Sequence, residues 1–256
     1  MTNQTVRRKS LADVQRIMKE QGVEHGIQTD VYLILLMDGT ASMTNLMESA
    51  KDTSMTLHRR ISEALLGKER IADKIHVKVI VFRDVYAGDA VPFQESDFFI
   101  LQSDGNGDES QFRDYIASIQ ATGGGDIPEN ALEALHMAFT TDFVAPEQGR
   151  KARHIIAVLT DAGAHELNDP RRAAMDQRQA SLYPQGVPMD LQGLQNEWDS
   201  MDVSSRRLLL FAPNAYPWNT ISTWSGYVQH VPSTAGVGMD RKQYDAAIAA
   251  IAGSIA

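Results

Sequence analysis

Val31-Tyr32-Leu33-Ile34-Leu35-Leu36-Met37 is an unbroken apolar run, preceded by Asp30 and followed by Asp38-Gly39-Thr40-Ala41-Ser42. The run has strand length, and its lack of alternation means that both faces are buried, as in the middle of a parallel sheet. Beyond it, Leu46, Ala50, Leu57, Ile61 and Leu65 recur at helical spacing as far as Gly67, which predicts one long helix. Strand, tight loop and helix therefore follow one another from the outset.

The same unit recurs along the chain. Residues 76–82 (HVKVIVF), 155–159 (IIAVL) and 207–211 (RLLLF) read as further buried strands. Residues 88–93 read as an edge strand returning as a hairpin. Helices are expected after Asp108, with Gln111 at capping-box spacing, over Ala131 to Phe139, and at the C-terminal end, where Tyr244, Ile248, Ile251 and Ile255 share a face. Segment 182–205 holds Pro184, Gly186, Pro188 and Gly193 and reads as an irregular insertion. Residues 10–20 read as a short helix with Ser10 and Asp13 at its start. The expected fold class is α/β: a doubly wound, mostly parallel central sheet with one antiparallel edge strand and helices on both faces. One domain is expected over residues 30–256, with residues 1–29 as an N-terminal helical extension.

Composition narrows the functions. Among 256 residues, Lys and Arg number 24 against 33 Asp and Glu, a formal net charge of −9. That balance disfavours nucleic acid and anionic lipid as partners. There is no cysteine, which excludes disulfides, thiolate catalysis and zinc–thiolate sites. No apolar run is long enough to insert in a membrane, and the charged start has no apolar core of a signal peptide, so a cytoplasmic location is expected.

In open parallel sheets, ligands bind at the carboxyl ends of the strands. Asp38-Gly39-Thr40-Ala41-Ser42 follows the first strand, Asp126-Ile127-Pro128-Glu129 follows a glycine run, and Thr160-Asp161-Ala162-Gly163 follows the fourth main strand. Asp38, Thr40 and Ser42 alternate, so an extended turn points all three to one side. With Asp161 and a carboxylate from Asp126 or Glu129 they make a hard, all-oxygen shell suited to Mg²⁺. Any one of these loops alone is explained by helix capping. All three on one sheet edge are not.

This pattern resembles the von Willebrand factor A domain with its metal-ion-dependent adhesion site, in the style of the integrin β I-like, hemicentin and alpha-kinase A domains. Phe82-Arg83-Asp84 also resembles the alpha-kinase type. The resemblance implies a Rossmann-like fold and a metal (Mg²⁺, or Mn²⁺ or Ca²⁺) held by Asp38, Thr40, Ser42, Glu129 and Asp161. Asp126 stands where other A domains place a threonine, as a direct, water-mediated or neighbouring ligand. Met43-Thr44-Asn45 replaces the acidic residues of the adjacent regulatory metal site, so that second site is expected to be missing. The function implied is non-enzymatic capture of an Asp or Glu of a partner protein, in bacterial complex assembly or signalling. Arg83 is expected to make a second contact to that acidic motif.

Rival readings fall short of this one. Leu35-Leu36-Met37-Asp38-Gly39-Thr40 imitates a dehalogenase-type phosphatase motif, but Leu36 occupies the place of the nucleophile. Gly123-Gly124-Gly125 lacks the Gly-Lys-Ser/Thr of a phosphate loop. Asp104-Gly105-Asn106-Gly107-Asp108 opens like a calcium loop, but Glu109 and Tyr115 stand where Gly and Glu are required. His165 reads as a surface-loop residue, Trp218 and Trp224 as packing residues, and the short basic clusters as solvated faces. A Mg²⁺-dependent hydrolase, with Glu129 or His165 as general base, is the alternative enzyme reading. An A domain with an empty, purely structural site is the third.

Overall fold

A computed structural model describes residues 29–53, 57–66, 74–102, 106–123, 128–143 and 151–255. The central sheet is built from β1 (Thr29–Asp38), β2 (Lys74–Phe82), β3 (Phe93–Glu95), β4 (Phe99–Gln102), β5 (Lys151–Leu159), β6 (Arg206–Pro213) and β7 (Tyr227–Ser233). Its order is β3-β2-β1-β5-β6-β7, with β4 also paired to β2. The pairs β1–β2, β1–β5, β5–β6 and β6–β7 are parallel, and β2 pairs antiparallel with β3 and β4. The fold is the expected mostly parallel α/β sheet with an antiparallel edge. That edge lies further along than residues 88–93: Phe93–Glu95 pairs with the end of β2 and Phe99–Gln102 with its start.

The helices are α1 (Thr44–Thr53), α2 (Leu57–Leu66), α3 (Glu109–Ser118), α4 (Ala131–Phe139), α5 (Pro170–Ala173), α6 (Gln177–Leu182), α7 (Leu191–Ser200), α8 (Trp218–Ile221) and α9 (Arg241–Ile255). Because β side chains alternate, β1 serves two cores at once. Val31, Leu33, Leu35 and Met37 meet α1, α2, α3 and α9 through Leu46, Ile61, Phe112 and Ile248. Ile34 and Leu36 meet α4 and α7 through Leu132, Leu135, Leu194 and Trp198. Truncating Leu33 or Leu36, both fully buried, to Ala would cost about 2–5 kcal/mol.

Several local expectations are corrected. The periodic stretch expected as one helix is helical over α1 and α2, and residues 54–56 between them lie outside the described residues. The expected helix over residues 10–20 also falls outside them. Segment 182–205 is not irregular throughout: Asp190 accepts the Gly193 N–H and caps α7, which buries Leu194 and Trp198. Asp108 does precede α3, but its carboxylate accepts the Ile100 N–H rather than capping the helix. β7 was not expected at all.

The far pole of the sheet carries an aromatic cluster. Tyr32 is in register with both His76 and His154. Tyr32 stacks on His76 at 4.5 Å and Phe143 on His154 at 4.1 Å, while Phe98 meets Tyr32 edge-on. Burial pulls both imidazoles below their ordinary value, opposed by Asp30 at His76 and by Asp202 at His154, with Lys74 adding to the effect at His76. A depressed histidine favours the fold while neutral, so stability is lost as pH falls below about 6.5, the unfolded value. In urea melts between pH 7.5 and 5, the wild type should therefore lose stability relative to a His76→Phe/His154→Phe variant. A pH-independent difference between the two would contradict this.

Candidate functional site

The strand order reverses between β1 and β5, and the loops at their carboxyl ends open on that crevice. Asp38 ends β1 opposite Phe82, and Met37 lies opposite Leu159, so Asp38, Phe82 and Thr160 stand at one level, with Arg83 one residue beyond. Asp38 is 0% exposed. Its Oδ1 accepts from the Thr40 N–H at 2.9 Å and the Thr40 hydroxyl at 2.6 Å, and its Oδ2 from the Thr160 hydroxyl at 2.7 Å. Burial pushes the Asp38 carboxyl up to about 6, against the three donors that favour its charge; Asp161 adds to the rise.

The chain of oxygens continues through Ser42. Its hydroxyl donates to Asp161 Oδ1 at 3.0 Å and lies 3.3 Å from the Thr40 hydroxyl. Asp161 is buried, and its Oδ2 accepts the Gly238 N–H at 2.6 Å. The two hydroxyl protons point at Asp38 and Asp161, so the Thr40 and Ser42 oxygens meet with their lone pairs unengaged by a proton of the other. The crevice thus brings together Asp38, Thr40, Ser42 and Asp161.

Glu129 is also buried and is fixed through its backbone. Its N–H donates to the Gly163 carbonyl, its carbonyl accepts the His165 N–H, and it bridges Ala164. Asn130, next to it, bonds Glu133 at 2.9 Å and accepts the Val85 N–H, while the Tyr183 hydroxyl also donates to Glu133. This buried network roots the start of α4, and burial pushes the Glu133 carboxyl up. Asp126 lies outside the described residues.

Two expectations fail here. Arg83 does not face outward: it is 4% exposed and its guanidinium donates to main-chain carbonyls, Gly39 and Gln120 among them. Arg83 is thus not placed to make the expected second contact to a partner. His165 is not a surface residue either. It is buried, its Nδ1 takes a hydrogen bond from Arg171 at 2.8 Å, and its Nε2 lies 3.2 Å from Asp84. Burial opposes the charge of Asp84, but His165 and the Tyr86 N–H outweigh it and hold that carboxyl below its usual value. Trp218 and Trp224 are buried as expected, and the Trp218 indole donates to the Ala162 carbonyl.

Two further participants carry little signal of their own in the sequence. Thr160 opens a loop after a recognisable strand, and its hydroxyl braces Asp38. The end of β7 and the segment after it bond to the site: the Ser233 hydroxyl donates to the Thr160 carbonyl and the Gly236 N–H to the Asp161 carbonyl. Gly236 and Gly238 both have positive φ, a signal visible in Gly236-Val237-Gly238 only once β7 is recognised before it.

The donors are oxygen only, which suits a hard divalent cation. Among the described residues, no three His, Cys, Asp or Glu side chains converge closely enough to hold a metal by themselves. The Thr40 and Ser42 hydroxyls would therefore have to complete the shell.

A parallel α/β sheet with hydroxyl and carboxylate loops at its switch point is the architecture of an A-type binding domain. A family model described as von Willebrand factor A domain matches residues 32–182, and the chain belongs to that family. No curated protein sequence matches it. Among solved structures it is similar to the pilus adhesin SpaC from Lactobacillus rhamnosus GG in its open conformation, with 14% identity and a TM-score of 0.52. That match covers 90% of this chain and 31% of the adhesin. A second form of SpaC matches with 12% identity, a TM-score of 0.52 and the same coverage. At such identity the likeness is one of fold. Among the described residues, no helix is long and apolar enough to cross a membrane.

A carboxyl raised to about 6 destabilises the fold at neutral pH, and that cost vanishes as pH falls below about 4. Asp38→Asn should therefore stabilise the chelator-treated protein at pH 7 by up to about 3 kcal/mol. Chemical denaturation in chelator checks this, and a destabilised variant would contradict it. Gly238→Ala should act oppositely, because its Cβ would stand 2.2 Å from the Ser42 carbonyl oxygen at φ +75°. A loss of about 1–3 kcal/mol is expected in the same assay.

Proposed function

We propose that this A domain is a non-enzymatic protein-binding module that captures an Asp or Glu of a partner protein through a divalent ion. Mg²⁺ is the expected ion, with Mn²⁺ or Ca²⁺ as substitutes. The ligands in this reading are Asp38, Thr40, Ser42, Glu129 and Asp161, with Asp126 as a further ligand, direct or through water. The setting proposed is bacterial complex assembly or signalling in the cytoplasm.

One observation carries the reading. Thr40 and Ser42 commit their protons to two buried carboxylates, at 2.6 and 3.0 Å, and so keep lone pairs for a cation. A bound ion would supply an electrophilic point at which a partner carboxylate completes the shell. The residues of the chain do the rest. Thr160 and the Thr40 amide fix the Asp38 carboxylate, Gly238 fixes Asp161, and the bridge to Ala164 fixes the Glu129 backbone. Exposed Ser42 marks where a partner would approach. A fold shared with a pilus adhesin is in keeping with binding.

The hydrolase alternative loses one of its two candidate bases. His165 is buried with Arg171 at one ring nitrogen and Asp84 at the other, which leaves it no access to a water in the crevice.

Metal linkage tests the reading. At a hundredfold excess over its Kd, Mg²⁺ should stabilise the wild type by about 2.7 kcal/mol, or about 5–10 °C in a thermal melt. Asp38→Asn should show no such shift, and Glu129→Gln should lose more of it than Asp126→Asn. An immobilised wild-type domain should retain peptides carrying Asp or Glu in Mg²⁺ and release them in chelator. An equal shift in wild type and Asp38→Asn would remove the site, and metal-dependent phosphoester turnover would make the protein a hydrolase.

A further inference from the structure

Arg83 follows the last residue of β2 and is buried with four main-chain carbonyls around its guanidinium. Nε donates to the Gly39 oxygen at 3.1 Å and to the Thr122 oxygen at 3.2 Å. Nη1 donates to Val91 at 2.9 Å and Nη2 to Gln120 at 2.7 Å. Gly39 directly follows Asp38, and residues 120–122 lead into the glycine run before Glu129. The main chain of Arg83 joins in: its carbonyl accepts the Asn130 N–H, and its own N–H donates to Pro92. One residue therefore touches the first loop at Gly39 and both flanks of the second, at residues 120–122 and Asn130.

The backbone around it fits that role. Thr122 N–H donates to the Gly39 carbonyl at 2.9 Å and Ala41 N–H to the Gly123 carbonyl at 3.4 Å, so the two loops are laced directly over the guanidinium. Gly39 has no Cβ because Arg83 fills that space: an added Cβ would lie 2.8 Å from Arg83 Cζ and 2.5 Å from a Val81 methyl. The planar fork reaches several acceptors at once, which a lysine ammonium on its flexible stem does not. The charge matters too. Asp89, Asp38 and Glu129 all act electrostatically on this guanidinium. The three described carboxylates of the site carry three negative charges, and a divalent ion offsets only two. Arg83 supplies a further positive charge from inside the fold, which lessens the repulsion a partner carboxylate would meet.

We propose that Arg83 is a positioning residue for ligand capture, an internal counter-ion whose guanidinium assembles the first and second loops before any metal arrives. It acts through Gly39 and the 120–122 segment and touches no ligand. The role in capture rests on the metal-dependent function proposed above; the assembly of the loops does not.

Arg83→Lys separates charge from fork. Hydrogen exchange on the chelated protein should show the Ala41 and Thr122 amides opening about tenfold faster or more, as befits loss of a charge-assisted bond, while β5 and β6 amides keep wild-type rates. In a Mn²⁺ titration the midpoint should rise by a similar factor. Gly39→Ala, which crowds the guanidinium without removing it, should give the same local signature and decides the matter if Arg83→Lys fails to fold. Unchanged Ala41 and Thr122 exchange, or equal acceleration across the sheet, would overturn the proposal. Should the wild type bind no Mn²⁺, the metal-dependent function falls, and the exchange arm still decides the role of Arg83 in loop assembly.

Discussion

The constraint on which the site depends is the burial of one carboxylate. Asp38 sits at the end of the central strand, 0% exposed, where an ionised group without donors would be prohibitively costly. Its answer is local and long-range at once. Thr40 donates twice from two residues away, and Thr160 donates across 122 positions of chain. The parallel pairing of β1 with β5 makes the second contact possible, because it brings the residue after Leu159 level with Asp38. Sheet register and site chemistry are therefore one fact. A slip of one residue would turn Asp38 into the other core and take from the Thr160 hydroxyl its carboxylate acceptor.

The same logic explains which parts of the fold the sequence made legible. β1, β2, β5 and β6 are buried on both faces, so each appears as a continuous apolar run. β7 is an edge strand whose Gln229, His230 and Pro232 break any run, and its half-exposed burial pattern leaves no signal. Helix α7 was hidden in the same way, since Pro188 and Gly193 at its start read as loop while its buried face is only Leu194 and Trp198. The site divides similarly. Asp38, Thr40, Ser42 and Asp161 were readable because each follows a recognisable strand. Gly238 was not, because the strand before it had gone unread.

Arg83 and His165 failed for a different reason. Both stand on the expected sheet edge, where charged and polar side chains ordinarily face water. Tertiary partners reversed that preference. A guanidinium can be buried when carbonyls meet its fork, and the loop at Gly39, bare of side chains, puts such carbonyls within reach. His165 is buried because Arg171 and Asp84 engage its two nitrogens. Neither set of partners lies within a helical or strand repeat of the residue it serves, so no periodicity announces them.

What emerges is a division of labour between rigid and adjustable supports. Asp38 and Thr160 are mounted on strand ends, and Glu129 on a helix start anchored by Asn130, Glu133 and Tyr183. Those mounts belong to the parallel sheet and to a buried polar network. Asp161 is held differently, by the amides of a loop with two positive-φ glycines and by the hydroxyl of exposed Ser42. Contacts of that kind open at lower free energy than a strand does. Any adjustment of the crevice to an incoming group therefore falls on the Ser42–Asp161–Gly238 side, against a fixed wall of Asp38, Thr160 and Glu129. In the binding role proposed above, such a wall would set selectivity, and compliance on the opposite side would let it serve partners of different shape.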